Sequence, residues 1–413
     1  MSIEHDAHPR LEGTTYSPAA EKDAAPWAPM AETRGRCPVG HSADLDAVMV
    51  TSYKGVREVL KNTSTFSSRW YTSYVRDEEL PLDEQVLSFT DPPRHTRHRK
   101  LLTASLSASK VERWRAVSEE VVNGLIDGFA DSTGPVDYLT AFGKPFPAEI
   151  IGQLFGIPEE DRELFMAGSE ASELLTSNPE KYGPVVREFR DQIELRVAQR
   201  RERGGLVTDD LLAALCFAEV NGDRFTDKEV AGMVRLLVSA GNTTTTALVG
   251  NIIHALDRFP EQKALFLSDI DRYVDSVVEE GLRYDGPILG LFRRSTTTDS
   301  IQGCPAVREG DKVYSSYSAA SHDPEQYDRP DEFIADRDWS KLPSHLGFGY
   351  GIHHCIGANL ARLEAQVALK ALYTRLPNLR VSDATTPTQF PGPVFRGWLG
   401  LSVEFDQPVR GGQ

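Results

Sequence analysis

Apolar residues return every three or four positions through most of this 413-residue chain, so helix is the dominant prediction. Helical spacing reads over residues 53–60, 111–129, 147–155, 159–175 and 182–203, the last closed by Gly204-Gly205. Thr226-Asp227-Lys228-Glu229 has the form of a capping box. It opens the longest periodic segment, which runs to about Arg258 with Pro260 just beyond. A further helix spans 271–284, and another follows Asp91-Pro92-Pro93, with Asp91 as its expected cap and the prolines in its first turn. Strand patterns are few and short: the run from Asp44 towards Tyr53, and residues 288–292 after the turn Asp285-Gly286-Pro287. Residues 66–76 mix aromatics and hydroxyls without a clean period and read as a loop, followed by the acidic stretch 77–84. Residues 1–36 carry no sustained apolar period and are expected to form a flexible arm. The pattern predicts a mainly α chain with small β sheets, arranged as that arm and a single domain over 37–413.

The long helix has one weak stretch. Ser239-Ala240-Gly241-Asn242-Thr243-Thr244-Thr245-Thr246 combines a glycine with consecutive β-branched residues, which lowers helix propensity. Hydroxyls there either bond back to carbonyls of the preceding turn or reach a ligand, and the sequence alone leaves both readings open.

Composition narrows the field. A formal net charge of −16 argues against nucleic acid as a general partner, since phosphate binding needs concentrated basic surface. Cys37, Cys216, Cys304 and Cys355 show no pairing rhythm, which fits a reducing compartment, read as the cytoplasm, better than a disulfide scaffold. No run of about eighteen apolar residues occurs and the N-terminal stretch is polar, so neither a membrane anchor nor a signal peptide is expected.

Chemistry concentrates around Cys355, in His345-Leu346-Gly347-Phe348-Gly349-Tyr350-Gly351-Ile352-His353-His354-Cys355-Ile356-Gly357. Four glycines allow a tight loop whose amide N–H groups can turn toward one sulfur and hold it as a thiolate, which is a metal-ligand loop. Two other readings stand beside this one. His345, His353, His354 and Cys355 could form a zinc cluster, although zinc ligands rarely crowd adjacent positions and no second Cys pair exists. The loop could also be a glycine-rich turn around a buried structural cysteine.

The spacing Phe-x-x-Gly-x-x-x-Cys-x-Gly ahead of Ala-x-Leu-Ala-Arg resembles the haem-ligand loop of the cytochrome P450 superfamily. Three more stretches resemble that family in the right order: Asp91-Pro-Pro-x-His95-Thr-x-x-Arg99, Ala240-Gly241-x-x-Thr244 and Glu280-x-x-Arg283. The resemblance implies the family's fold, a triangular helical body enclosing haem b (iron protoporphyrin IX), with Cys355 as axial ligand of the iron. It implies that His95, Arg99, Arg294 and His353 bind the propionates, Arg294 through the pattern Arg-x-x-Thr-x-Asp. Glu280 and Arg283 would be a structural pair behind the haem. Thr244 would help hold oxygen and pass protons. Thr243 stands where the family usually has Asp or Glu, which leaves the feed of that relay open: water bridged by Thr243 or Asn242, poor coupling, peroxide use, or a polar substrate.

By the same resemblance, the substrate pocket would be lined by Trp70, Tyr74, Leu236, Ser239, Ala240, Ile288, Leu289, Gly290, Val394 and Phe395, with Arg69 a hint toward an acidic substrate. The implied activity is that of a soluble, bacterial-type, monomeric monooxygenase that uses O2 to hydroxylate or O-dealkylate a hydrophobic small molecule. Electrons would come from a ferredoxin and its NAD(P)H-dependent reductase, docking near Arg94, Arg97, Lys100, Arg113 or Arg115. A peroxide-using or isomerising haem-thiolate enzyme and a non-catalytic haem sensor are the alternatives.

Overall fold

The computed structural model describes residues 27–69, 85–103, 111–175, 178–204, 210–390 and 392–406. The first described element falls within the last residues of the expected arm. α1 (Trp27–Arg36) is docked, with Met30 fully buried among Phe292 and Tyr314. Its Arg34 donates from Nη1 to the Ala319 carbonyl at 2.8 Å and from Nη2 to the His322 carbonyl at 2.9 Å. A helix anchored by one apolar side chain and one guanidinium leaves no apolar period to read. The part of the expected arm over residues 1–26 lies outside the described residues.

α2 (Tyr53–Lys61) is capped by Ser52, whose side chain accepts from the Gly55 amide, and it buries Tyr53, Val56, Val59 and Leu60. It packs beside a five-stranded sheet. Its first strands are β1 (Val39–Ser42), β2 (Ala47–Val50) and β3 (Phe66–Ser67). Later chain supplies β4 (Gly290–Ser295) and, after the hairpin of β5 (Asp299–Ile301) and β6 (Cys304–Val307), β7 (Lys312–Ser316). The strand order is β1-β2-β7-β4-β3. β7 runs parallel to β2 and antiparallel to β4, where Val313 lies opposite Arg293 and Lys312 opposite Arg294. Two cysteines without a sequence rhythm meet at this sheet: Cys37 and Cys304 bring their sulfurs to 3.3 Å as free thiols.

The helical body follows. α3 (Arg94–Thr103) starts after both prolines, and the Asp91 carbonyl accepts from the His95 amide at 2.9 Å at its start. The Asp91 carboxylate instead accepts from Ser67 Oγ at 2.5 Å and from the Ser68 amide at 2.9 Å, tying the helix start to the end of β3. α4 (Arg115–Asp127), α5 (Pro145–Phe155), α6 (Glu159–Leu174), α7 (Pro179–Arg203) and α8 (Leu211–Phe217) build its layers. Through them runs α9 (Asp227–Arg258). Its capping box is complete: Thr226 Oγ1 accepts from the Glu229 amide at 3.2 Å, and Glu229 Oε2 accepts from the Thr226 amide at 3.0 Å. At 1.5 Å per residue α9 is about 48 Å long, enough to cross the molecule. It touches α5, α6, α7 and α8, and then α10 (Pro260–Ser268), α11 (Ile270–Tyr284) and, beyond α12 (Tyr317–Ser321), α13 (Ala358–Arg375). Among the described residues, no helix is long and apolar enough to cross a membrane.

α11 carries a buried ionic knot. Glu280 and Arg283, one turn apart and shut off from solvent, pair through Nη2–Oε1 at 2.7 Å and Nε–Oε2 at 2.9 Å. Arg337 adds a bond to Glu280 Oε2 at 2.8 Å and the Ile334 amide one to Oε1 at 3.0 Å. The remaining Arg283 donors meet the carbonyls of Ser321, Pro330 and Glu332. The knot pins the loop between α12 and the Cys355 segment onto α11.

Candidate active site

The Cys355 loop is shaped by its glycines. Gly351 adopts φ +72°, and a Cβ there would lie 2.7 Å from the Leu60 carbonyl; a Cβ on Gly347 would lie 2.6 Å from that of Leu282. Close approach to α2 and α11 is thus built on residues without side chains. The Cys355 amide donates to the Phe348 carbonyl at 2.9 Å, closing the loop just ahead of α13. The three histidines diverge. His345 pairs with Glu279 at 2.9 Å, His353 Nε2 meets Ser68 Oγ at 2.9 Å, and the His354 backbone carbonyl accepts from Arg99 Nη1 at 2.6 Å. Burial would raise the Glu279 carboxyl, but bonds from His345 and Arg362 hold it down at about 2, so it is a fixed anion bracing the loop. Among the described residues no group of His, Cys, Asp and Glu could hold a metal ion by clustering, which removes the zinc reading.

The Cys355 thiol is exposed, but to an internal cavity rather than to the outer surface. Surrounding protein pushes its pKa up, while the Gly357 N–H, Arg99 and Arg362 favour the thiolate. A structural cysteine would be packed in apolar side chains; this one opens onto empty space. Ala240, Thr244 and Leu248 of α9, spaced by four on one face, line the same cavity, with Leu282 of α11 and Ile288 and Leu291 ahead of and within β4.

Arg293, not Arg294, lies on the cavity wall. Side chains alternate along β4, so Leu291 and Arg293 face the cavity together and Arg294 points the other way. Arg293 is buried and meets no carboxylate among the described residues, donating only to the Phe292 carbonyl at 2.7 Å. Near it the His95 and His353 rings lie 4.3 Å apart. Burial, with Arg293, His95 and Arg99 close by, lowers His353 to about 2; burial, Arg99 and His98 lower His95 to about 4, against Asp91. His95 Nε2 is buried without a protein partner. The guanidinium groups of Arg293 and Arg99 gathered beside two neutral imidazole rings, one with a polar atom left unpaired, fit a flat ligand that brings carboxylates to one edge and a metal ion to the sulfur.

The expected pocket residues separate. Ala240 and Ile288 line the cavity, as does Leu291, which was not among the residues expected there. Leu289 and Val394 are buried and joined through the Leu289 amide and Val394 carbonyl at 2.8 Å, and neither lines the cavity. Gly290 backs onto the Ser315 carbonyl and Tyr314. Phe395 bridges to Ile288 by its backbone and packs near Phe390, and Leu236 packs on the helical core. Ser239 Oγ is buried without a protein partner, away from the cavity wall. Around β4, an apolar run covered on both faces does not announce which residues face the cavity. Trp70 and Tyr74 lie outside the described residues. Arg69 pairs with Asp91 at 3.6 Å, so its charge is already met.

The two threonines line different pockets. Thr244 donates to the Ala240 carbonyl at 2.6 Å, beside the cavity. Thr243 lines a second pocket, on the far side of α9. Behind the cavity, on α13, burial pushes the Glu364 carboxyl up to about 8 against a bond from Thr245. Its position nine residues after Cys355 drew no notice in the sequence, because a lone Glu in a helix reads as solvated.

The sequence profile described as Cytochrome P450 matches residues 35–390 of this chain. Among curated proteins the chain is similar to cytochrome P450 monooxygenase PikC of Streptomyces venezuelae, 33% identical over 372 residues, covering 88% of this chain and 86% of that protein. It is also similar to mycinamicin IV hydroxylase/epoxidase of Micromonospora griseorubida, 32% identical with 90% and 91% covered. Among solved structures it resembles cytochrome P450 CYP109Q5 from Chondromyces apiculatus, with a TM-score of 0.83 at 30% identity, covering 92% of this chain and 95% of that one.

Proposed function

The chain belongs to the cytochrome P450 superfamily, and from that premise we propose that it is an O2-dependent monooxygenase that holds haem b on Cys355 and hydroxylates or O-dealkylates a hydrophobic small molecule. One observation carries the reading: the Cys355 thiol and the Thr244 hydroxyl line one cavity, whose remaining wall is largely apolar. Bound haem supplies oxygen activation, with the thiolate's electron donation favouring O–O cleavage. The chain's own residues do the rest. His95, Arg99, Arg293 and His353 orient the cofactor through its propionates. Leu248, Leu282, Ile288 and Leu291 exclude water and select an apolar substrate. Thr244 keeps its oxygen lone pairs free while donating to Ala240, so it can accept a proton or a hydrogen bond at Oγ1.

Because Arg69 is paired with Asp91, the substrate is neutral rather than an acid anchored there. Electrons come from a ferredoxin and an NAD(P)H-dependent reductase in the cytoplasm, and the enzyme works as a monomer. Of the basic residues near the cysteine side, Arg94 and Arg97 are taken up by Glu229 and Asp223, and Arg115 by Glu112, so the ferredoxin meets Lys100 and its neighbours. The test is turnover of a panel of neutral terpenoid, steroid and macrolide alcohols with a ferredoxin system under isotopically labelled O2. Label in the product supports the reading. Product from peroxide alone makes the protein a peroxide user, and haem binding without any turnover makes it a sensor.

A further inference from the structure

The second pocket answers a question raised by Thr243. Asn242, Thr243 and Thr246 form its floor on α9, and Leu139, Met166, Phe390 and Trp398 contribute apolar walls. At its edge Lys144 and Glu170 join at 3.0 Å, with 42% and 46% of their side chains exposed, so the pair is in contact with bulk water. Beside it two buried oxygens, Ser169 Oγ and Asn242 Oδ1, have no protein partner. Unpaired polar atoms are costly to bury, and a pocket that offers several of them is where ordered water settles. Such water would have Glu170 on one side and Thr243 on the other.

The helix therefore lacks a carboxylate at position 243, yet the fold brings one from α6 to the same side of α9. We propose that Glu170 is the proton-entry residue for the oxygen-side helix, replacing in space the acid that Thr243 replaces in sequence. This rests on the monooxygenase reading above. The Glu170 carboxylate takes a proton from bulk water and passes one to pocket water. That water protonates Thr243 Oγ1 as the Thr243 hydroxyl proton leaves toward the Thr244 side. Neighbouring side chains diverge by about 100° around a helix, so transfer between the two hydroxyls needs a bridging water. One proton enters and one leaves, with no change of oxidation state. Lys144 is a positioning residue that holds the Glu170 carboxylate at the pocket edge through their 3.0 Å ion pair.

The test is Glu170→Gln, which keeps the shape of the side chain and removes its titration, with Glu170→Asp as the conservative partner. The variant should bind haem and shift spin state with substrate as the parent does. Its product per NAD(P)H should fall about fivefold or more, with the deficit appearing as peroxide and with a larger solvent deuterium effect; Glu170→Asp should recover most of the coupling. Independently of turnover, crystals of the ferric protein should show ordered water between the Glu170 carboxylate and Thr243 Oγ1. A dry pocket, or a Glu170→Gln variant coupled like the parent, overturns the inference and leaves the monooxygenase reading standing. A parent protein that oxidises nothing with any electron source overturns both.

Discussion

Replacing Glu280 by Gln removes one charge from the buried knot behind the cavity. In the native protein Glu280 accepts four hydrogen bonds, three from the guanidinium groups of Arg283 and Arg337 and one from the Ile334 amide. The amide variant keeps one acceptor oxygen and turns an NH2 toward donors. Two guanidinium groups are then buried without a counter-charge, since the other Arg283 partners are neutral carbonyls. Breaking a buried pair from one side costs about 3–5 kcal/mol. With an unfolding entropy of about 2.1 cal/mol/K per residue over 413 residues, that loss lowers Tm by about 4–6 °C. Urea unfolding followed by circular dichroism, at matched haem loading, measures it. The joint variant Glu280→Met with Arg283→Met should be less destabilised than Glu280→Met alone, because it removes the orphaned charge as well. A Glu280→Gln variant within about 1 kcal/mol of the parent would refute the reasoning.

Glu364→Gln tests the buried acid through pH. Because burial pushes Glu364 up to about 8, the folded protein stays protonated there while the unfolded chain ionises from its ordinary value of 4.5. Parent stability should therefore fall as pH rises between those values and level off above them, by up to about 5 kcal/mol in all. The Gln variant should lack that slope, matching the parent near pH 4.5 and exceeding it at pH 8; parallel unfolding curves would contradict this. Arg293→Ala should speed haem loss to an apo-globin acceptor by about tenfold or more, and Arg294→Ala by much less, as the worth of a charged hydrogen bond requires; equal rates would return the role to Arg294. Mild oxidation with peroxide should join Cys37 to Cys304, seen as one cross-linked peptide pair in a non-reducing digest and absent in Cys37→Ser, since their sulfurs already lie 3.3 Å apart.

Helices were legible wherever the sequence supplied both a period and a stop signal. The α9 boundaries follow from Thr226, Glu229 and Pro260, and α6 and α7 from the turn at Gly156-Ile157-Pro158 and the stop at Gly204. What escaped was parity and long-range pairing. Nothing local tells Arg293 from Arg294, because the alternation of β4 is fixed by its pairing with β7. Nor does anything local separate Ile288 and Leu291, which line the cavity, from Leu289 and Gly290 between them. Asp91 looked like a cap because its neighbours are helix starters, and only the fold brings Ser67 and Ser68 to its carboxylate. The split between Thr243 and Thr244 was within reach: residues 240, 244 and 248 fall on one stripe of α9, and 243 and 246 on another. Glu170 was not, since it lies on a different helix and meets the α9 threonines only across a pocket.

The most direct test of the account is the absorption spectrum of the reduced, carbon-monoxide-bound holoprotein. The geometry around Cys355 predicts the red-shifted band of thiolate-ligated haem in the parent and in Cys37→Ser, Cys216→Ser and Cys304→Ser, and its loss in Cys355→Ser alone. A parent spectrum of histidine-ligated type, or a thiolate band that survives Cys355→Ser, would contradict the central claim.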